Sequence, residues 1–293
     1  MAILRQKAEE EAASLPALME AAEKAATSVL HGEHTQRKTG AGEKFWQFRE
    51  YVPQDRPQDI DWRQSAKTDQ IYIRQKEWQT PQATIFWCSR APGMDFSSAE
   101  NIPSKSETAK ILILALSILI TRAGDQVGLL ELPRTGRSEA ALQRIGTALT
   151  EIPENTAPLP GLPAHAHPKN ASLVQTGDFL SPLEEIERAF KNLSAQNKNG
   201  LILQVLDPAE IELPFSGRVL FEDPADKQRQ LINHVPSIRE AYKQRLRDHI
   251  AGVESLSRQH HWHYILHRTD FPVKDTLAKI WSLMHRHESR IRA

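Results

Sequence analysis

From Ala83 to the C-terminus, short apolar runs alternate with amphipathic helical patterns, and that alternation leaves few folds open. Ala83-Thr84-Ile85-Phe86-Trp87-Cys88 is a short apolar run followed by Pro92-Gly93, as in a strand buried on both faces. Ser104 to Ala123 reads as a helix, capped by Ser104 or Ser106 and ended by Gly124-Asp125. From Ile111 to Ile120 it is apolar on nearly every side, so other elements must cover most of its surface. Residues 127–132, 172–175, 201–206, 218–221 and 262–267 read as strands. Residues 140–149, 183–193, 238–256 and 274–287 read as helices. This order predicts an α/β fold, a doubly wound and mostly parallel sheet with helices on both faces. Sites in such sheets lie beyond the carboxyl ends of the strands. The positions to inspect are therefore 88–94, 176–180, 207–210 and 267–270.

The N-terminal part is different. Leu4, Ala8, Leu15, Leu18, Ala22, Ala25 and Val29 recur near helical spacing, so residues 3–30 form an amphipathic helix, or two helices broken near Pro16. Gly32, Gly40 and Gly42 mark loop, and residues 43–80 are mixed, with a strand at Gln70–Lys76. We divide the chain into residues 1–80, a helix plus a small β extension, and residues 81–293, the sheet domain. Five prolines between residues 153 and 168 indicate an extended surface loop, on which His165 and His167 are read as solvated.

Lys plus Arg and Asp plus Glu are both 37, so the net charge of zero argues against bulk attraction to nucleic acid or anionic lipid. Residues 234–293 are locally basic, with eleven Lys or Arg against six acids, which leaves nucleic-acid binding there as a third, weaker idea beside a solvated helix face. The single cysteine, Cys88, rules out an internal disulfide and fits a reducing compartment. The longest apolar run, Ile111 to Ile120, is about half a membrane span, and Met1 to Glu11 lacks a signal-peptide core. The expectation is a cytoplasmic protein with no direct membrane insertion.

Phosphate-binding glycine patterns and the Gly-x-Ser-x-Gly elbow are missing from the sequence, which disfavours P-loop, dinucleotide and serine-hydrolase chemistry. Cys88 ends an apolar strand with no base nearby in sequence, the ordinary setting of a buried small hydrophobe. His261, His263 and His267 share one strand face by period two, yet no second ligand cluster accompanies them. A partly exposed strand edge is the preferred reading there, and zinc the minority one.

Residues 49–78 are the densest chemical block: Arg49-Glu50-Tyr51, Asp55, Asp59-Ile60-Asp61-Trp62-Arg63-Gln64-Ser65-Ala66, then Ile71 to Trp78. Arg49, Asp59, Asp61, Arg63 and Arg74 are expected to form a buried ion-pair network that orients Tyr51 and Trp62 and latches this block to the sheet. The same arginines and aromatics, with Trp46 and Trp78, also suit a partner-docking surface. The Asp-Ile-Asp-Trp-Arg-x-Ser-Ala string resembles the signature of the domain of unknown function 58 family. So do Gly40 to Phe45, Met94-Asp95-Phe96, Lys105 to Ala109 and Gly124 to Leu130, with weaker similarity at Asp178-Phe179. Gln54 stands before Asp55 where the family usually has Gly.

That resemblance implies a von Willebrand factor A-like sheet domain, and a companion of MoxR-type AAA+ ATPases and of von Willebrand factor A-like membrane proteins. Such companions assist the assembly or maturation of other proteins. Von Willebrand factor A-like domains hold Mg²⁺ with Asp-x-Ser-x-Ser after the first strand and a later acid. Aligned on Met94-Asp95-Phe96, those positions are Ser89, Ala91 and Gly93, and the later acid is Asp178. The acid and both hydroxyl ligands of the motif are missing, so no metal and no other cofactor is expected. Arg90 either enters the vacant crevice to pair with Asp178 or faces solvent. The expected role is a non-enzymatic, metal-independent adaptor. The alternative is a metal-dependent hydrolase using Asp178, Asp207 and a histidine.

Overall fold

The computed structural model describes residues 16–30, 45–52, 55, 57–67, 70–76, 82–151, 158–163, 165–168, 170–195 and 199–291. The chain divides into two compact units. One combines residues 1–35 with 82–293, and the other is residues 36–81. The N-terminal helix, expected to group with the signature block, thus falls in the same unit as the sheet.

In chain order, the described part of that first helix, α1, covers residues 16–30. The smaller unit holds β1 (Phe45–Glu50), a four-residue α2 (Trp62–Ser65) and β2 (Tyr72–Lys76), with β1 and β2 antiparallel. Asp61 fixes the centre of this unit. Its side chain accepts from Gln64 N at 3.0 Å as the cap of α2, and its backbone N–H donates to Tyr72 O at 2.9 Å. Ser65 closes the loop, donating from Oγ to Asp61 O at 2.8 Å and accepting from Tyr72 N at 2.8 Å. The Asp-x-x-x-Ser spacing of the signature is thus a hydrogen-bonded clip between α2 and β2.

The larger unit continues with β3 (Ala83–Cys88), α3 (Lys105–Arg122), β4 (Gln126–Leu129), α4 (Glu139–Glu151), β5 (Ser172–Gly177), α5 (Leu183–Ser194) and β6 (Gly200–Leu206). After these come a short α6 (Pro208–Glu212), the antiparallel pair β7 (Val219–Glu222) and β8 (Arg229–Ile232), α7 (Arg239–Gln259), β9 (His263–Arg268) and α8 (Val273–Ile291). The main sheet has the order β4-β3-β5-β6-β9, and all its pairs are parallel. This is the doubly wound α/β fold that the alternation predicts. The simple alternation misses α6 and β8, and it misses one reversal. Val127 and Gly136 exchange backbone hydrogen bonds of 2.8 and 2.9 Å in an antiparallel bridge, so the chain doubles back after β4 before α4 begins.

Alternate side chains of each strand feed two cores. Phe86, Cys88, Val174, Leu203 and Val205 face α1, α3, α4 and α8. Ile85, Trp87, Leu173 and Ile202 face Ile186, Phe190 and Leu193 of α5 and Val253 of α7. α3 is buried from Leu112 to Ile120, which explains its lack of a polar face. Leu18, Ala22, Ala26 and Val29 of α1 belong to the same core. Among the described residues, no helix is long and apolar enough to cross a membrane.

Candidate functional site

The strand order reverses between β3 and β5, because one connection from β3 leads outward to β4 and the later chain proceeds the other way. At such a switch point two loops part and leave a crevice beyond the carboxyl ends of the strands. Cys88 and Thr176 are paired there, so Ser89, the residue after β3, and Asp178, the residue after β5, flank that crevice. Three of the four segments expected to carry a site, 88–94, 176–180 and 207–210, contribute to it.

Asp178 is set by the turn that follows β5. Phe179 adopts φ of 47°, a left-handed conformation that costs a bulky residue on the order of 1–3 kcal/mol. Its surroundings hold it there: its ring meets Phe190 edge-on at 6.1 Å, and its carbonyl accepts from His249 Nε2 at 2.7 Å. The Asp178 carbonyl accepts from Gln204 Nε2 at 2.6 Å, and Tyr264 in turn donates to Gln204 Oε1 at 2.5 Å. Burial pushes the Tyr264 phenol up, so it stays a donor.

The residue that fills the crevice belongs to the Lys105–Ala109 segment of the family resemblance. Lys105, the first residue of α3, is 1% exposed, and its Nζ donates to Asp178 Oδ2 at 3.2 Å and to Glu210 Oε1 at 2.5 Å. Ser104 caps the helix by accepting from Glu107 N at 3.1 Å, and Lys105 N donates to Phe96 O at 3.3 Å, so the lysine leaves a fixed origin. Glu210 uses its second oxygen to accept from Asp207 N at 2.9 Å. Asp207 caps α6, accepting from Ala209 N at 2.7 Å and, across the crevice, from Ser98 N at 3.0 Å. Burial raises the Glu210 carboxyl, and the Lys105 ammonium opposes that rise. One buried ammonium therefore ties the loops after β5 and β6 to the start of α3. The sequence signal was available, since a lysine at the first turn of an otherwise apolar buried helix needs an anionic partner.

The other positions resolve differently. Ser89 is buried, and its Oγ donates to Pro158 O at 3.4 Å, on the segment after α4. Gly93 borders the acid: a Cβ there would lie 3.5 Å from Asp178 Oδ2. Ala91 has no side-chain oxygen. Arg90 neither pairs with Asp178 nor faces solvent. It is buried, donates from Nη2 to Ala148 O at 3.4 Å and lies 3.8 Å from Glu131, because the reversal after β4 brings the end of α4 against this loop. His167, expected to be solvated, approaches Leu130 O at 3.1 Å.

Magnesium does not fit this donor set. It needs hard oxygen ligands at about 2.0–2.1 Å in octahedral array. Here the one hydroxyl at these positions, Ser89 in place of the acid, is turned to Pro158, and an ammonium stands against the carboxylate that would carry the ion. Asp207, the second acid of the hydrolase alternative, has both oxygens on backbone N–H groups and is fully buried. Cys88 is buried, and desolvation pushes its thiol up to about 11, which fits a core residue. The three histidines of β9 and its turn do not converge. His261 lies in the turn before β9 with φ of 60°, His263 is exposed at the start of this edge strand, and buried His267 bonds Thr276 Oγ1 at 2.8 Å. Among the described residues, no three His, Cys, Asp or Glu side chains group as metal ligands.

Among the described side chains of the signature block, Arg49, Asp61 and Arg63 do not form the expected ion-pair network. Arg49 pairs at 2.7 Å with Asp55, which also accepts from Val52 N at 2.9 Å; the Arg49 hydrogen bond holds the Asp55 carboxyl below its usual range. Asp61 caps a helix instead of binding arginine. Tyr51 is half-buried, whereas Arg63 is exposed and Trp62 is 67% exposed. The side chains of Asp59, Arg74 and Trp46, and Trp78 as a whole, lie outside the described residues.

The family model described as "Protein of unknown function DUF58" matches residues 47–252. The chain belongs to the DUF58 family. Its relatives include the uncharacterized protein Rv1480 of Mycobacterium tuberculosis (strain H37Rv) and the uncharacterized protein Mb1516 of Mycobacterium bovis. Each is 26% identical over 256 residues, spanning 78% of this chain and 76% of the relative. No solved structure matches the chain. This DUF58 chain carries its charged crevice inside the matched segment, from Lys105 to Glu210.

Proposed function

We propose that this DUF58 protein is a non-enzymatic, metal-independent adaptor that docks on a MoxR-type AAA+ ATPase, or on the client it helps to assemble, in the cytoplasm. One observation carries the reading. At the crevice where open α/β sheets bind ligands, Lys105, Asp178, Glu210 and Asp207 satisfy one another and the local backbone, whereas loops after β3, β5 and β9, along the same end of the sheet, present apolar side chains. Phe96 after β3, Leu180 after β5 and Phe271 after β9 are 37%, 41% and 55% exposed. Large exposed apolar groups beside a closed polar centre suit recognition by shape and burial rather than catalysis. In the smaller unit, the exposed Trp62 beside Arg63 has the composition of an interface hot spot.

The test is crosslinking in cells followed by identification of the captured proteins, with Phe271→Asp and Trp62→Ala compared with wild type. Capture of a AAA+ ATPase, undiminished by chelator and reduced in the folded variants, is the expected result. Capture that strictly requires Mg²⁺ at the adaptor, or stays unchanged in both variants, overturns the reading.

A further inference from the structure

The geometry points to Lys105 as a resident cation: a tethered ammonium that takes the place of a divalent ion and holds a latent cation site closed. Three observations converge on this assignment. The ammonium is 1% exposed and bridges carboxylates from two separate connections, at 3.2 Å from Asp178 and 2.5 Å from Glu210. Removing a charge from water at that depth is costly unless opposite charge surrounds it, so the two acids and the lysine stabilise one another as a set. The crevice lies at the topological switch point, and Gly93, aligned with a hydroxyl ligand, puts no side chain of its own against Asp178, whose Oδ2 lies 3.5 Å from where a Cβ would stand.

The chemistry of the exchange is simple. An ammonium offers three donors to oxygen and a single positive charge. A hydrated magnesium or manganese ion offers two charges and is commonly held by one or two carboxylates, with water in the remaining positions. Asp178 and Glu210 can satisfy either cation, but not both at once. A lysine fixed in the chain does not dissociate, so the loops after β5 and β6 are joined to α3 whatever the ion supply. The inference deepens the metal-independent reading above and names the residue responsible for it. Its readouts need no partner protein, so its failure is distinguishable from failure of the docking reading.

The experiment uses the purified full chain with manganese chloride as the probe, followed by calorimetry and thermal melting. Wild type is expected to show no saturable binding, and the same melting temperature in chelator and in Mn²⁺. Lys105→Ser removes the ammonium and supplies a hydroxyl. It is expected to melt lower in chelator, to gain one Mn²⁺ site per chain and to recover part of its melting temperature with the ion. Adding Asp178→Asn to Lys105→Ser is expected to abolish that gain. Stoichiometric Mn²⁺ on wild type, a folded Lys105→Ser that takes up no ion, or a gained site that survives Asp178→Asn overturns the assignment. Should Lys105→Ser fail to fold, Lys105→Met is compared with Lys105→Met/Glu210→Gln. Recovery of folded protein in the double variant supports the resident cation, and no recovery overturns it.

Discussion

At the residue scale, buried polar groups decide most of what is particular to this chain. Lys105 and its acids are one case, and His267 is another. The His267 ring is 1% exposed, accepts or donates only toward Thr276, and has no partner for Nε2. Burial lowers its pKa from 6.5 to about 4; Asp270 opposes the shift and Lys279 adds to it. Between those values the unfolded chain binds a proton that the folded chain does not. The stability it contributes is therefore complete above about pH 6.5 and is lost as the pH falls toward 4, on the order of 3 kcal/mol over the window. Urea denaturation at a series of pH values should show this slope in wild type and a shallower one in His267→Gln. An unchanged slope would mean that another group titrates.

At the element scale, strands and helices meet through close approaches that tolerate no added atom. Gly200 opens β6 beneath the indole of Trp262, and a Cβ there would lie 2.7 Å from three ring atoms. Trp262 cannot yield easily, because it packs against Phe190 at 5.2 Å and is 3% exposed. Gly200→Ala should therefore destabilise the sheet unit by roughly 1–3 kcal/mol through overpacking. The measurement is the urea midpoint with the slope of the transition held constant, and a midpoint within error of wild type would refute the packing argument. The same scale explains Arg90. Neither its residue type nor its neighbours in sequence specify a partner. The reversal at Val127–Gly136 does so, by directing the end of α4 to the carboxyl end of β3.

At the scale of the whole molecule, the N-terminal helix is part of the sheet unit's core although residues 36–81 intervene in sequence. Leu18, Ala22, Ala26 and Val29 are at most 9% exposed, and α3 has no polar face to present in their absence. Removing residues 1–30 should expose part of that apolar surface. Increased binding of a hydrophobic dye and a lower melting temperature are the expected outcomes. A truncated chain that melts as wild type does would show that α1 is dispensable to the core.

The strands, the helices and their alternation were legible in the sequence because burial imposes period two on a strand and period 3.6 on a helix, and both patterns survive in the order of residues. Ser104 as the cap of α3, the buried character of Cys88 and the crevice segments at 88–94, 176–180 and 207–210 followed from the same local rules. The Asp61–Ser65 clip was visible as a pattern, but its expected ion pairs were not what formed, since a carboxylate beside free backbone N–H groups caps them first. The partners of Lys105 and Arg90 were beyond a linear reading. Asp178 lies 73 positions from Lys105, and Glu210 lies 105. Charge pairing at such separations depends on which loops the sheet topology brings together, and only the folded chain sets that distance.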